Sequence, residues 1–505
     1  MFDVAVYGAT AAGVMAAIAA AQEGARVVLL EPGQHVGGMV SGGLGHTDYG
    51  DPRVIGGLAL EFYERVARTY GAETWGLVGP EPHVAEQIFR DWLAEARIEV
   101  AFDARLDRVI KDGRRITELF TEQGVSYAAQ VFVDAGYEGD LLARAGVAYA
   151  VGRESVADYG ESWAGRRPIL PGQHNLAVPV SPFVAGEDGE LLPLIHRRPM
   201  TREGEGDGGV QSYCFRLCLT QRPENQLPIP QPDGYDAAEF ELLRRYLAVA
   251  NPTPRAQALM SLVPNLPNGK CDVNSIGPIS TNLLDGSSWE YPDADYGRRR
   301  QLWDRHLHYT QGLLYFLTND PSVPAGIRQT MEQWGLCRDE FVDTNHWPHQ
   351  LYVREARRMR GEYWMTQADL EARRVKYDAV GMGSYNIDIR EVQRTWIWVS
   401  RHHRLEGETY NEGYLSVPVR PYAIPYRSLV PRYEECVNLV VPVCMSASHV
   451  AFASIRMEPQ YMILGHAAGV AAAQAATAGL PVQQLPILGL QRALLDQRQV
   501  LEVAA

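Results

Sequence analysis

The sequence predicts an α/β protein built on a mostly parallel sheet, with the sheet domain split along the chain by an inserted α+β domain. Three observations predict it. Residues 2–45 run strand, glycine turn, helix, strand, acidic residue and second glycine loop. Residues 437–479 hold an apolar strand run and then a long Ala/Gly-rich helix pattern. Between them the periodicity changes, and Pro and Gly rise over 160–235. Matching elements at both ends with a different pattern between them describe one layered domain interrupted by another.

Val4 to Tyr7 is a short apolar strand, followed at once by Gly8-Ala9-Thr10-Ala11-Ala12-Gly13. The Ala-rich helix runs to Gln22, and Gly24 stands where a helix C-terminus favours glycine. Val27 to Leu30 is the next strand, closed by Glu31 and Pro32. A turn opening a helix turns backbone N–H groups and the positive dipole end toward a pyrophosphate, which makes Gly8, Ala9, Thr10, Ala12 and Gly13 contact candidates. An acid about 20 residues further on suits ribose hydroxyls. The context, more than the glycines, indicates a Rossmann-like dinucleotide site over an ordinary tight turn. Thr10 departs from the usual pattern, because a glycine belongs there. Its side chain either bonds phosphate or holds the cofactor slightly back. The second loop, with Gly37, Gly38, Met39, Ser41 and Gly42, lies just past the ribose acid. A transient NAD site has no need of it. A tightly held FAD, whose pyrophosphate and ribityl chain run along the protein, does.

Helical spacing marks 57–70 and 82–96. Residues 98–102 and 106–110 alternate like strands, and Asp112-Gly113 turns the chain into a return strand at 116–120. The strand 131–133 then enters Asp134-Ala135-Gly136, which resembles the second nucleotide contact of flavoproteins with two dinucleotide domains. The expected division is 1–155 for the first part of the cofactor domain, 156–400 for a substrate or cap domain, and 401–505 for the second part. Inside the middle domain, 202–209 reads as a mobile loop, 210–219 as a strand, and 236–249 and 293–318 as helices. Tyr213 and Arg216 are candidates to line a cavity there, on opposite faces of the strand.

The 505 residues carry a net charge of −14. That surplus argues against nucleic acid and against an anionic membrane surface as partners. The chain enters its first strand at Phe2 with no leader pattern, and no segment is apolar for long enough to span a bilayer. Six scattered cysteines form no C-x-x-C pair, which fits reduced thiols in the cytoplasm and gives no metal site.

Several long segments carry a family likeness: YGATAAGVMAAIAAAQEGARVVLLEP, GGMVSGGLG, EPHVAEQIF, VDAGYEGDLLARAGV, YTQGLLYFL, HWPHQLYVREARRMRGEY, IPYRSLVP and VPVCMSASHVAFASIRMEP. The chain resembles the FAD-dependent oxidoreductases of the glutathione-reductase-like superfamily, specifically bacterial members often mislabelled as xanthan lyases. The likeness covers nearly the whole chain. It implies FAD as cofactor and a cofactor domain of glutathione-reductase type. It supplies no substrate. Asp134-Ala135-Gly136 departs from the Asp-Ala-Thr-Gly usual in related flavoproteins, which leaves the detail of that contact open.

A flavin ring needs dipoles at its pyrimidine edge, a substrate face near N5 and a group that moves the substrate's proton. Met457 and Glu458 read as the entry to the last helix, whose N–H groups stabilise negative charge at that edge; the resemblance places this segment beside the flavin as well. His449 is a candidate base, with a reference pKa near working pH. Arg456 either steadies the reduced flavin, binds a substrate oxygen or pairs with Glu458. His46 either faces the flavin, acts as base with Asp48, or carries a covalent link. His346 and His349, with Trp347 between them, suit a polar and aromatic substrate surface better than a metal, since no third ligand of matching spacing follows. Tyr385, Asn386, Asp388 and His402-His403 are further polar candidates.

The expected function is FAD-dependent oxidation of a hydroxyl-bearing small molecule, a sugar or polyol, by hydride transfer to flavin N5. The Trp, Tyr, His and Asn content of the middle domain suits sugar faces and hydroxyls. One alternative is reduction or dehydrogenation of a carbon–carbon bond, with Arg354 or Arg456 as acid. The other is a non-catalytic flavin-binding protein. No second complete glycine fingerprint for NAD(P)H is visible, and the electron acceptor and oligomeric state stay open.

Overall fold

A computed structural model describes residues 1–503 except 74, 75, 77, 78, 171, 173, 187, 188, 199, 372, 373, 375 and 402. His402 therefore lies outside the described residues. The chain divides into two compact units. The first comprises Met1–Val151, Glu355–Asp388 and Ser416–Ala505, and the second Gly152–Arg354 and Ile389–Leu415.

The first unit holds the sheet that the sequence predicts. Its strands are β1 (Phe2–Tyr7), β2 (Val27–Leu30), β3 (Glu99–Ala101), β4 (Leu106–Asp112), β5 (Arg115–Thr121) and β6 (Ser126–Asp134). The order is β3-β2-β1-β6-β5-β4, parallel from β3 to β6 and antiparallel beyond. The far edge of β6 is shared: its first half pairs with β5 and its second half, at Phe132 and Val133, with the parallel strand Leu439–Val440. So residues more than 300 positions apart complete one Rossmann-like sheet.

Helix α1 (Ala11–Gln22) follows β1, and α2 (Gly57–Thr69) and α3 (Pro82–Glu95) follow β2. Near the C-terminus come α4 (His449–Ile455) and α5 (Glu458–Ala478), which Gly479 ends in the left-handed region at φ +64°. Helices α1 and α5 are Ala-rich because their backbones nearly touch. A Cβ on Gly465 would strike the Ala12 carbonyl, and one on Gly469 the Ala16 carbonyl. The pairs 465/12 and 469/16 advance together, so the two helices run parallel and their N-termini lie at the same end.

The units depart from the expected division. Residues 355–388 belong to the first unit and 389–415 to the second. The physical reason is local pairing: Ala379–Gly383 forms a two-stranded sheet with Tyr422–Pro425, and a Cβ on Gly381 would meet Ile463 of α5.

The second unit contains an antiparallel sheet, ordered Lys270–Val273, Leu217–Thr220, Gly335–Cys337, Gln226–Leu227, and a long hairpin of Gln393–Arg401 with Arg404–Glu412. Helices Glu241–Val249 and Tyr296–Asn319 meet the expected positions. The expected strand 210–219 shrinks to Leu217–Thr220, while Tyr213 and Cys214 make single bridges to Leu283 and Tyr352. Tyr213 packs edge-on against Tyr291, and Arg216 is locked to Asp272 at 2.7 and 2.6 Å, so both are committed to the interior. Segment 202–209 is anchored rather than mobile, because Asp207 takes the buried guanidinium of Arg153 at 2.9 and 2.6 Å. All six cysteines are buried as free thiols. Among the described residues no helix is long and apolar enough to cross a membrane.

Candidate functional site

At the shared N-terminal end of α1 and α5, three loops of the first unit are knitted together. Gly8 has φ +91°, and a Cβ there would come within 2.7 Å of the Gly136 amide nitrogen. Only glycine lets the first turn lie against the Asp134-Ala135-Gly136 segment. Thr10 caps α1, accepting the Gly13 N–H at 3.2 Å and donating its hydroxyl to the Ala135 carbonyl at 2.8 Å. The hydroxyl hydrogen points into protein, and the residue joins the turn to the second contact segment. Glu31 accepts the Ala9 N–H at 2.8 Å and the Gly33 N–H at 2.7 Å, one on each carboxylate oxygen. Burial nevertheless pushes its acid up to about 7. It thus braces the turn, with a lone pair on each oxygen left for a ribose.

The second loop is tied in the same way. The Gly37 N–H donates to the Ala9 carbonyl at 2.7 Å. The Ser41 hydroxyl donates to the Val36 carbonyl at 2.6 Å, so Ser41 shapes its own loop and has no hydrogen to spare. Tyr137, which sequence reading missed, is central. Its hydroxyl accepts the Met39 N–H at 2.9 Å and donates to Glu458 Oε1 at 2.7 Å. One phenol therefore links the second glycine loop to the first residue of α5.

Met457 caps α5, and Pro459 sits in its first turn as the sequence indicates. Glu458 is 2% exposed, and burial pushes its carboxyl up to about 8. Its Oε2, and both ends of the fully buried Gln460 carboxamide, find no hydrogen-bond partner among the described residues. Such atoms cost about 1–3 kcal/mol each unless something supplies a partner.

The candidate chemistry sits on α4 and its surroundings. Ser448 caps α4 by accepting the Ala451 N–H at 3.1 Å, which fixes the backbone of His449. His449 Nδ1 lies 2.9 and 2.8 Å from the two oxygens of Glu355, and both side chains are buried. Arg358, fully buried, places Nε 3.0 Å from Glu355 and donates from Nη1 to the Ala447 carbonyl at 2.9 Å. Arg456 donates to Asp388, at 2.7 Å to its carbonyl and 2.9 Å to its carboxylate. Pairing with Glu458 is therefore not what this arginine does; Glu458 turns to Tyr137 instead. His46 is exposed, and its proposed companion Asp48 bonds the half-buried Tyr385 phenol. His346 belongs to the second unit, half-buried at φ +65°, with Nδ1 3.1 Å from the Glu340 carbonyl.

The sequence profile of the FAD dependent oxidoreductases matches residues 3–494. The chain belongs to this family. FAD is its cofactor, and the residues at the joint helix ends fit it. The cofactor offers hydroxyls, phosphates and ring carbonyls, and this end of the unit offers two helix N-termini and orphaned polar atoms on Glu458 and Gln460. The chain is also similar in part to solved structures. The anhydrotetracycline hydroxylase OxyS from Streptomyces rimosus is 13% identical over 30% of this chain and 37% of its own, with a TM-score of 0.22. The flavin-dependent brominase Bmp2 is 19% identical over 30% and 42%, at 0.23. The T. acidophilum thioredoxin reductase is 18% identical over 26% and 34%, at 0.18. The chain thus spans less than half the length of each. A search of curated proteins finds no match.

In this FAD-dependent oxidoreductase, sequence reading missed Tyr137, Glu355 and Gln460. Tyr137 carried a signal, since it directly follows Asp134-Ala135-Gly136. Glu355 carried none, because it stands in a run of arginines that reads as a solvated face.

Proposed function

We propose that this FAD-dependent oxidoreductase oxidises a hydroxyl-bearing small molecule, a sugar or polyol, with His449 as the base. The observation that supports this most directly is the buried His449–Glu355 pair. Glu355, opposite Arg358, takes the Nδ1 hydrogen and thereby selects the tautomer whose Nε2 accepts a proton. His449 takes the hydroxyl proton while the same carbon gives up its hydride, so the alcohol leaves as a carbonyl compound. FAD, when bound, supplies the two-electron acceptor at N5. Gly8, Ala9, Thr10, Ala12 and Gly13 would face its pyrophosphate, Glu31 with Pro32 its ribose, and Gly37, Gly38, Met39, Ser41, Gly42, Ala135 and Gly136 its extended middle. Met457 and Glu458 would meet the ring's pyrimidine edge. Arg456 and His46 would border the substrate side, and His346 remains a candidate of the second unit.

The carbon–carbon reading asks for an arginine ready to give a proton. Arg456 is bonded to Asp388, and Arg354 donates to the Ser212 carbonyl and to Cys214 Sγ, so neither favours it. The deciding experiment is anaerobic titration of the oxidised holoenzyme with a panel of sugars and polyols, followed by flavin absorbance. Bleaching by a polyol, lost in His449→Ala with FAD retained, is the expected result. Reoxidation of reduced flavin by an enoate, with no bleaching by any polyol, would overturn it.

A further inference from the structure

The second unit carries its own histidine–glutamate pair, separate from His449 and Glu355. His174 Nδ1 lies 2.8 Å from Glu391 Oε1. The other oxygen of Glu391 accepts from Asn282 Nδ2 at 2.8 Å, and Arg390 Nε is 3.5 Å away. Burial works against charge on Glu391, but Arg390 and His174 outweigh it and hold the acid at about 2. An ionised carboxylate accepts only, so Asn282 must turn its amide nitrogen toward it and His174 must present Nδ1–H. Arg390 Nη2 lies 3.3 Å from the same Nδ1, and a neutral imidazole carries one N–H and one lone pair. Nε2 is then left as an acceptor.

The ring is built in with care. His174 has φ +51°, an uncommon conformation for a side chain of its size. Strain of that kind persists where surroundings enforce it and concentrates at binding sites. Here Asn411 Nδ2 donates to the His174 carbonyl at 2.7 Å and fixes the backbone. The ring lies against half-buried Tyr414 with centroids 4.2 Å apart, and 15% of the His174 side chain stays open to solvent. Asn282 Oδ1 and the hydroxyl of the next residue back, Thr281, are buried with no hydrogen-bond partner among the described residues. Arg390 is committed to Glu391 and to the Ser275 carbonyl at 2.7 Å, so the cluster has no spare cation for an anion.

We propose that His174, clamped by Glu391 and flanked by Tyr414, Asn282 and Thr281, is a binding site for a neutral polyhydroxylated molecule, whose hydroxyl donates to Nε2. Acceptors and hydroxyls on the protein call for donors on the ligand, and the face of an aromatic ring suits C–H groups. The site deepens the polyol reading above and rests on it for the choice of ligand class.

The test is calorimetric titration of the oxidised, anaerobic holoenzyme with D-glucose and with myo-inositol. Wild type binds at least one of them. His174→Asn, which tolerates the left-handed backbone but lacks Nε2, weakens that binding about tenfold or more, the loss of one good hydrogen bond. Thr281→Val gives a second reading should His174→Asn fail to accumulate, and weakens binding likewise. The visible FAD spectrum stays unchanged in both. Absence of binding to wild type, or equal affinity in the variants, overturns the site. Failure of the oxidation reading looks different: a polyol binds through His174 but never bleaches the flavin. Conversely, bleaching by a polyol whose affinity His174→Asn leaves untouched removes this site and keeps the oxidation.

Discussion

Each unit holds a histidine by Nδ1 on a glutamate at 2.8 Å, yet the two pairs are wrapped differently. His449 begins a capped helix in relaxed backbone, and its side chain is 2% exposed, with Glu355 at 0%. His174 sits in left-handed backbone, 15% exposed, on an aromatic ring. The hydrogen bond is the same and fixes the same tautomer. What differs is access. A sealed pair suits proton transfer away from water, while an edge pair suits capture of a ligand from solvent. Surroundings, more than the pair itself, assign the role.

The largest expected effect separates the two directly. His449→Ala is expected to slow flavin reduction by about 100- to 10,000-fold, the range of a general base, with FAD still bound. His174→Ala should leave the limiting reduction rate within about tenfold. Anaerobic stopped-flow over a range of polyol concentrations reads both; an equal loss of limiting rate in the two variants would erase the distinction.

The glutamates come next. Glu355→Gln leaves fully buried Arg358 without its counter-charge, for an expected loss of about 3–5 kcal/mol. Glu391→Gln should cost less, about 1–3 kcal/mol, because Arg390 keeps its bond to the Ser275 carbonyl. Urea unfolding of the cofactor-free proteins ranks them.

Proton uptake gives a third, smaller contrast. The two clamping glutamates are held by arginines, whereas among the described residues the Glu458 carboxyl is bonded by Tyr137. Folded Glu458 keeps its proton up to about 8, against an ordinary value of 4.5. Between these pH values the folded state binds the extra proton, so cofactor-free stability falls as pH rises through the window and flattens above it. Glu31 and Asp134, both pushed up to about 7 by burial, add slope in the same direction. Glu458→Gln should flatten the slope without lowering stability near neutral pH. Melting temperatures of apoprotein from pH 5 to 9 test this, and an unchanged slope would mean that Glu458 is ionised in the fold.

The cofactor half of this contrast was legible in the sequence and the dyads were not. Strand, turn, helix and acid are consecutive, so local propensity and glycine spacing reveal β1, α1, β2 and Glu31. The helix entry at Met457 and Glu458 was legible because Pro459 marks a first turn. Thr10 could be flagged but not interpreted, since its partner Ala135 lies 125 positions away. The dyads join residues 94 and 217 positions apart, and the glutamates stand next to arginines, Arg354 and Arg390. Only tertiary pairing buries those arginines. The unit boundary was missed for the same reason: the strand Ala379–Gly383 shows its membership by pairing with Tyr422–Pro425, which no periodicity announces.

The smallest expected effect concerns two orphaned polar side chains, Gln460 in the first unit and Thr281 in the second. Gln460→Leu and Thr281→Val both delete buried groups that have no protein partner. In apoprotein each should be neutral or stabilising by about 1 kcal/mol, because an unsatisfied group is removed and little packing is lost. Adding saturating FAD separates them. If Gln460 completes its bonds on the cofactor, Gln460→Leu loses part of the stabilisation that FAD confers, while Thr281→Val gains as much from FAD as wild type does. Melting temperatures with and without FAD give four numbers, and their double difference isolates the cofactor contact from ordinary core tolerance. Equal FAD-induced shifts in both variants would place Gln460 outside the flavin site and leave Glu458 as the one orphaned group of α5 facing it.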